Sequence, residues 1–156
     1  MNCALVVGLG CILCTELKRH NAQAVVRVCE PSYKTDLLEK EGITVTDLEF
    51  DDGSFPPAEA SGIYIVVTEW LDIVRRQARA DPTSCVAVHC VAGLGRAPVL
   101  VALALMELGL KYEDAVELIR EKRRGAINAK QLQFLEKYKP RSRLRKNGAK
   151  AGCSIQ

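Results

Sequence analysis

Residues 85–98 read Cys85-Val86-Ala87-Val88-His89-Cys90-Val91-Ala92-Gly93-Leu94-Gly95-Arg96-Ala97-Pro98, and an apolar run continues to Leu108. Cys85–His89 has the apolar, β-branched character of a buried strand, and Pro98–Leu108 predicts a helix. The glycine-rich loop between them therefore sits at a helix N-terminus, where unpaired N–H groups and the helix dipole favour an anion. Gly93 and Gly95 let the backbone curl so that the N–H groups of Val91, Ala92, Gly93, Leu94, Gly95 and Arg96 point inward as a nest. Arg96 can grip two phosphate oxygens with its planar fork. The same positive field favours Cys90 as a thiolate. Pro98 fits the first helical turn, where its missing N–H costs little. The plainer reading is a core cysteine before a strand-to-helix turn. It leaves unexplained why Cys90 and Arg96 stand six positions apart with His89 before them and a helix behind.

Working outward, the runs Ala24–Cys29 and Ile43–Leu48 are also strand-like, and helical patterns separate them. Thr15–Asn21 and Lys34–Lys40 read as short helices, the second stopped by Gly42. Residues 58–80 carry Ile63, Val66, Val67, Trp70, Leu71 and Val74 at helical spacing. Tyr112–Arg124 and Asn128–Tyr138 give two more helices around Gly125. Ala4–Val7 is a further strand candidate. The alternation predicts an α/β fold, a mainly parallel central sheet flanked by helices. In such a sheet ligands sit beyond the carboxyl ends of the strands. Cys90, Cys29 and the stretch Phe50-Asp51-Asp52-Gly53 all fall there.

A thiolate that displaces an alkoxide or phenoxide needs a proton donor for the departing oxygen. Asp51 and Asp52 are the candidates, on a loop able to close over the site, and Asp52 is the expected acid. Paired acids before a glycine are otherwise ordinary turn residues. Cys29 has two readings: a core thiol at a strand end, or a partner that traps Cys90 as a reversible disulfide and shields it from overoxidation. His89 is expected to orient the loop, since an ionised nucleophile needs no base.

The 156 residues are enough for one domain with a proper core, expected over 1–140 and followed by a basic tail, 141–156. Seven cysteines without paired spacing argue against a disulfide framework. Cys11 and Cys14 form a Cys-x-x-Cys that no second pair or histidine cluster completes into a zinc site. Met1–Cys14 is apolar but lacks the basic flank of a signal peptide. From Lys137 onward there are seven basic residues and no acidic one. Removing those seven from the 22 basic residues leaves 15 against 19 acidic ones, a charge of −4 for the rest. The chain ends Cys153-Ser154-Ile155-Gln156, which fits a prenylation box of the farnesyl type. A polybasic segment beside one lipid supplies the second anchoring signal.

These residues together resemble the phosphatase of regenerating liver family, small prenylated protein tyrosine phosphatases of type IVA. The match runs from about Val25 to Arg145 and into the terminal box. It is carried by Val26-Arg27-Val28-Cys29-Glu30, by Phe50-Asp51-Asp52-Gly53 and by His89 through Met106. Lys111-Tyr112-Glu113-Asp114-Ala115-Val116, Lys122-Arg123-Arg124-Gly125-Ala126 and Leu135-Glu136-Lys137-Tyr138 add to it. The resemblance implies the dual-specificity-like cysteine-phosphatase fold. It implies Cys90 as nucleophile, Arg96 as phosphate clamp, Asp52 as general acid and Cys29 as redox disulfide partner of Cys90. It also implies farnesylation at Cys153 with carboxyl methylation, and no metal or other cofactor. The expected location is the cytoplasmic side of the plasma membrane and endosomes, or the cytoplasm or nucleus without the lipid. Expected partners are a phosphorylated protein or phosphoinositide, an anionic membrane surface and the cytosolic domain of a cyclin M type magnesium transporter. Nucleic acid is not among them, and a homo-oligomer stays open.

Three departures accompany the resemblance. Met1–Cys14 does not match the family's longer opening, so a divergent or truncated start is expected. Leu48-Glu49 stands where the family has Trp-Pro, which predicts a looser acid-bearing loop. The box has one cysteine where the family has two. Ala97 follows Arg96 where most cysteine phosphatases carry Ser or Thr, whose hydroxyl helps the thiolate leave. Alanine predicts slow turnover and an accumulating phosphocysteine. The expectation is a slow tyrosine or dual-specificity phosphatase, the alternative a low-activity module that binds the transporter. Leu5-Val6-Val7-Gly8-Leu9-Gly10 with Glu30 is half a dinucleotide fingerprint, broken by Leu13 where its third glycine belongs. The loop alone also fits rhodanese-like phosphatases and arsenate reductases.

Overall fold

The computed structural model describes residues 2–5, 12–58, 64–141, 144 and 154–155. The elements are β1 (Asn2–Leu5), α1 (Ile12–Arg19), β2 (Ala22–Arg27), α2 (Asp36–Lys40), β3 (Thr44–Asp47), α3 (Ile65–Ala80), β4 (Cys85–His89), α4 (Arg96–Glu107), α5 (Tyr112–Lys122), α6 (Ala129–Lys137) and β5 (Ser154–Ile155). The strands form one sheet in the order β3-β2-β4-β1-β5, and every pair is parallel. The expected α/β architecture is the one found.

β4 occupies the predicted residues and is buried along its whole length, as a strand with neighbours on both edges and cover on both faces must be. Its side chains alternate between two cores. Val86, Val88 and Cys90 join Ala24, Val26, Val28 and Cys29 in the larger core under α3, α4, α5 and α6. Cys85 and Ala87 join Leu17, Leu38 and Ile43 in the smaller core under α1 and α2. The same alternation sends His89 and Cys90 to opposite sides of the sheet.

α4 is buried at every position, which its apolar sequence requires of a central helix. Leu100, Leu103 and Leu105 are all within 1% of full burial, each worth about 2 kcal/mol of transfer free energy. The helix begins two residues earlier than expected, at Arg96. The first bond of the turn, from Val99 N–H to Gly95 O at 3.2 Å, forms without Pro98, which has no N–H to give. α3 starts at Ile65, well after residue 58, and turns Val67, Trp70, Leu71 and Val74 inward as its spacing predicts. Trp70 Nε1 donates to the Leu100 carbonyl of α4 at 2.7 Å. α2 ends against Gly42, whose φ of +74° only glycine adopts at no cost. Ile63, Val6, Val7 and most of the half-fingerprint lie outside the described residues, and so does Cys153.

Candidate active site

Strand register brings three loops to one place. Arg27 is level with His89 on one side and with Asp47 on the other, so β2, β3 and β4 end together. The pairing runs one step further on each side. Val28 N–H donates to His89 O at 3.0 Å, and Leu48 N–H donates to Arg27 O at 2.8 Å. The segments carrying Cys29, Asp52 and Cys90 therefore leave the sheet side by side, at its carboxyl edge as expected.

Cys90 is buried where β4 gives way to the loop, and Arg96 is buried at the first position of α4. Gly93 takes a φ of +68° and makes the curl. Gly95 serves a different purpose from the one expected, because its φ is −121°. A Cβ there would stand 3.2 Å from Gln131 Nε2, so glycine lets the loop pack closely against α6. Val91 is 65% exposed and Leu94 is also exposed, so the loop between β4 and α4 presents two apolar side chains to solvent.

Asp52 and Arg96 meet. Asp52 Oδ1 lies 3.1 Å from Arg96 Nε, with the Asp52 side chain 79% exposed. The contact is an ion pair without a well-aligned hydrogen bond, and Arg96 Nε is a buried donor with no hydrogen-bond partner. A second guanidinium nitrogen donates to Phe50 O at 3.4 Å. Arg96 is thus held by the loop that carries Asp52.

That loop is anchored at several points. Leu48 and Phe50 are buried in the larger core. Ser54 N–H and Oγ both donate to Asp51 O, at 3.1 and 2.6 Å, and Gly53 turns with a φ of +67°. Asn128 Nδ2 donates to Gly53 O at 2.9 Å, and Gln131 Nε2 donates to Ser54 O at 2.7 Å. Asn128 and Gln131 also form the capping box of α6, each side chain bonded to the other's backbone N–H. Gln131 is fully buried and touches both the acid-bearing loop and Gly95 of the cradle. Sequence reading missed this residue, though Asn-x-x-Gln before an amphipathic helix is a legible capping signal.

On the other face, His89 is buried and hydrogen-bonded. Its Nδ1 donates to Cys90 O at 3.4 Å, which leaves Nε2 to accept from Tyr33 Oη at 2.7 Å. Burial pushes the imidazole below the usual histidine range, and Arg27 pushes the same way. Tyr33 stacks on the ring and lies under the Arg27 guanidinium, 4.7 Å from its centroid. Arg27 holds Asp47 through two nitrogens at 2.6 and 2.8 Å and donates to Tyr33 O at 2.8 Å. Arg27, Tyr33 and Asp47 were not singled out from the sequence.

Cys29 is buried in the same core as Cys90, and both are free thiols in this structure. No disulfide joins them here. Burial pushes the Cys29 thiol up, Arg96 opposes that, and the neighbouring Cys90 adds to it. Among the described residues no cluster of three or more His, Cys, Asp or Glu side chains could hold a metal ion.

A sequence profile for protein-tyrosine phosphatases matches residues 9–138. PRL-1 phosphatase of Drosophila melanogaster is 66% identical over 142 residues, covering 90% of this chain and 77% of the fly protein. Protein tyrosine phosphatase type IVA 3 of Homo sapiens is 61% identical over 130 residues, 83% of this chain and 72% of its own. The structure of a putative protein tyrosine phosphatase from Leishmania major superposes with a TM-score of 0.67 at 39% identity, covering 88% and 86% of the two chains. An α/β cysteine-phosphatase fold of the dual-specificity type is common to these findings and to the site described above. The chain belongs to the type IVA, or regenerating-liver, family of protein-tyrosine phosphatases.

Proposed function

We propose that this chain is a membrane-tethered dual-specificity phosphatase that works slowly through a phosphocysteine. The observation that carries the reading is the Asp52–Arg96 contact at the mouth of the cradle that begins at Cys90. It brings the proposed acid and the proposed phosphate clamp into contact, and this supports the reading of Cys90 as the nucleophile six positions before Arg96. The phosphate dianion enters the nest, and Arg96 rotates its free donor onto a phosphate oxygen. Cys90 Sγ attacks phosphorus in line as the ester oxygen departs, and Asp52 gives that oxygen its proton. In the second step Asp52 takes a proton from water, the water oxygen attacks phosphorus, and Cys90 leaves as thiolate. Ala97, fully buried at the start of α4, has no hydroxyl to stabilise that thiolate. Hydrolysis of the phosphoenzyme is therefore the slow step.

Intact-mass spectrometry after brief incubation of the reduced protein with a small aryl phosphate tests this. One added phosphoryl group on the wild type and none on Cys90→Ser is the expected result. A folded wild type that neither gains the group nor releases phosphate sinks the catalytic reading in favour of the transporter-binding module. Asp52→Ala should slow release of a poor alkoxide leaving group by about 10²–10⁴-fold and a good phenoxide far less.

Two regulatory elements belong to the proposal. Hydrogen peroxide oxidises the Cys90 thiolate to a sulfenic acid, and the Cys29 thiol then attacks that sulfur, its proton leaving with the hydroxide as water, giving a disulfide. Shared burial of the two thiols supports this. Farnesylation of Cys153, with methylation of the exposed carboxyl group, and the basic tail hold the molecule to the cytoplasmic leaflet of plasma and endosomal membranes. Each basic residue near an anionic surface adds about 1 kcal/mol. Cys153→Ser should leave activity on aryl phosphate intact and move the protein off membranes in cell fractionation.

A further inference from the structure

A concave groove of about 710 Å³ opens beside the acid-bearing loop, between Phe55, the start of α3 and α6. Its floor is aromatic. Phe55 and Phe134 stack with centroids 4.6 Å apart and planes within 2°, and Tyr64 meets Phe134 edge-on at 5.6 Å. Its rim is cationic: Lys130, Lys137, Lys139 and Arg141 line it, and none of the described lining residues is acidic. Lys130 Nζ also stands 5.6 Å from the centre of the Phe55 ring. Chemistry at Cys90 uses none of these side chains.

We infer that this groove is a docking site for an acidic peptide segment carrying an apolar side chain, on the same protein whose phosphorylated residue enters the Cys90 cradle. The inference rests on the proposed reading of that cradle. Charge decides the occupant. The charged residues of the chain's own continuation beyond Arg141 are all basic, so they do not complement the rim. A bilayer offers anionic charge to a flat or convex surface, whereas an enclosed aromatic floor suits an inserted side chain. Position decides the linkage. Phe55 follows Asp52 by three residues, so at most about 11 Å of chain separates them. A bound peptide covers that span in roughly three to five residues. Phe55 and Lys130 adjoin Ser54 and Gln131, the pair that anchors the acid-bearing loop. A ligand there presses on the element that carries Asp52.

Two phosphotyrosine peptides test this, one with Glu-Leu-Glu three to five positions away on both sides and one with Gln-Leu-Gln. Because kcat/KM covers only the steps up to phosphoryl transfer, slow phosphoenzyme hydrolysis does not mask it. The expected result is about a tenfold preference for the acidic peptide, about 1.4 kcal/mol. Lys130→Glu with Lys137→Glu, both at exposed helix positions, should abolish the preference and leave the aryl phosphate rate within about twofold. No preference in the wild type, or one that survives charge reversal, overturns the inference. A wild type inactive on aryl phosphate would mark failure of the catalytic reading instead. Anisotropy of a labelled, unphosphorylated Glu-Leu-Glu peptide then decides: binding lost on charge reversal supports the groove, and no binding overturns it. Loss of phosphatidylserine-vesicle binding in the double variant, with no peptide preference in the wild type, assigns the rim to membrane and overturns the inference.

Discussion

At the scale of single residues, Ala97 and His89 make the sharpest predictions. Ala97→Ser restores one hydrogen bond to the departing Cys90 sulfur, worth about 1–1.5 kcal/mol, so phosphoenzyme hydrolysis should quicken about tenfold in single-turnover kinetics. An unchanged rate would mean that something other than the leaving thiolate limits turnover. His89 is held neutral by burial beside Arg27, Asp47 and Tyr33. Its folded pKa lies below its unfolded one, so the unfolded chain takes up a proton first as pH falls through about 6.5. The stability it contributes is complete above that range. It is lost toward lower pH at up to about 1.4 kcal/mol per unit, until the folded group titrates too. Urea midpoints from pH 7.5 down should show this slope, and His89→Asn should flatten it. The meeting of Asp52 with Arg96 was legible because strand alternation puts both of their loops at the carboxyl edge of the sheet. Arg27, Asp47 and Tyr33 were not, because strand register creates their contact and single-sequence reading does not supply register.

At the scale of elements, α6 supports the site without entering it. Gln131→Leu removes the partner of Ser54 O and Asn128 N–H within a fully buried setting. Stability should fall by about 1–3 kcal/mol. More tellingly, kcat/KM should fall more on alkyl than on aryl phosphates, since only an alkyl leaving group needs a well-placed Asp52 to protonate it. Equal loss on both would confine Gln131 to capping. Asn128→Ala should cost about 1 kcal/mol by chemical denaturation as the cap is lost. β4 and the core of α4 were readable because apolar runs of those lengths admit one solution each. Helix starts were less so. α4 recruits Arg96, since a cap at Gly95 needs no side chain, and α3 begins at Ile65, after Tyr64 in an extended conformation.

At the scale of the whole molecule, a mildly acidic body meets a basic tail at the end of α6. The junction is pinned. Glu107, fully buried at the last turn of α4, accepts from Tyr138 Oη at 2.7 Å and from Arg141 N–H at 3.1 Å. Glu107→Ala should lower the denaturation midpoint by the equivalent of about 2–3 kcal/mol and leave kcat/KM for aryl phosphate nearly unchanged. A large loss of catalysis in the folded variant would show that the junction and the catalytic loop communicate along α4. The parallel architecture was legible from alternation alone. The groove beside α6 was not, because its aromatic side chains come from three separated stretches that only packing assembles. The chain contains a single tryptophan, and that indole is bonded to the backbone of the helix whose first residue is Arg96. Its fluorescence is therefore a built-in optical reporter. A shift of emission toward the red would record α4 separating from α3, with no label and no competing signal from another indole.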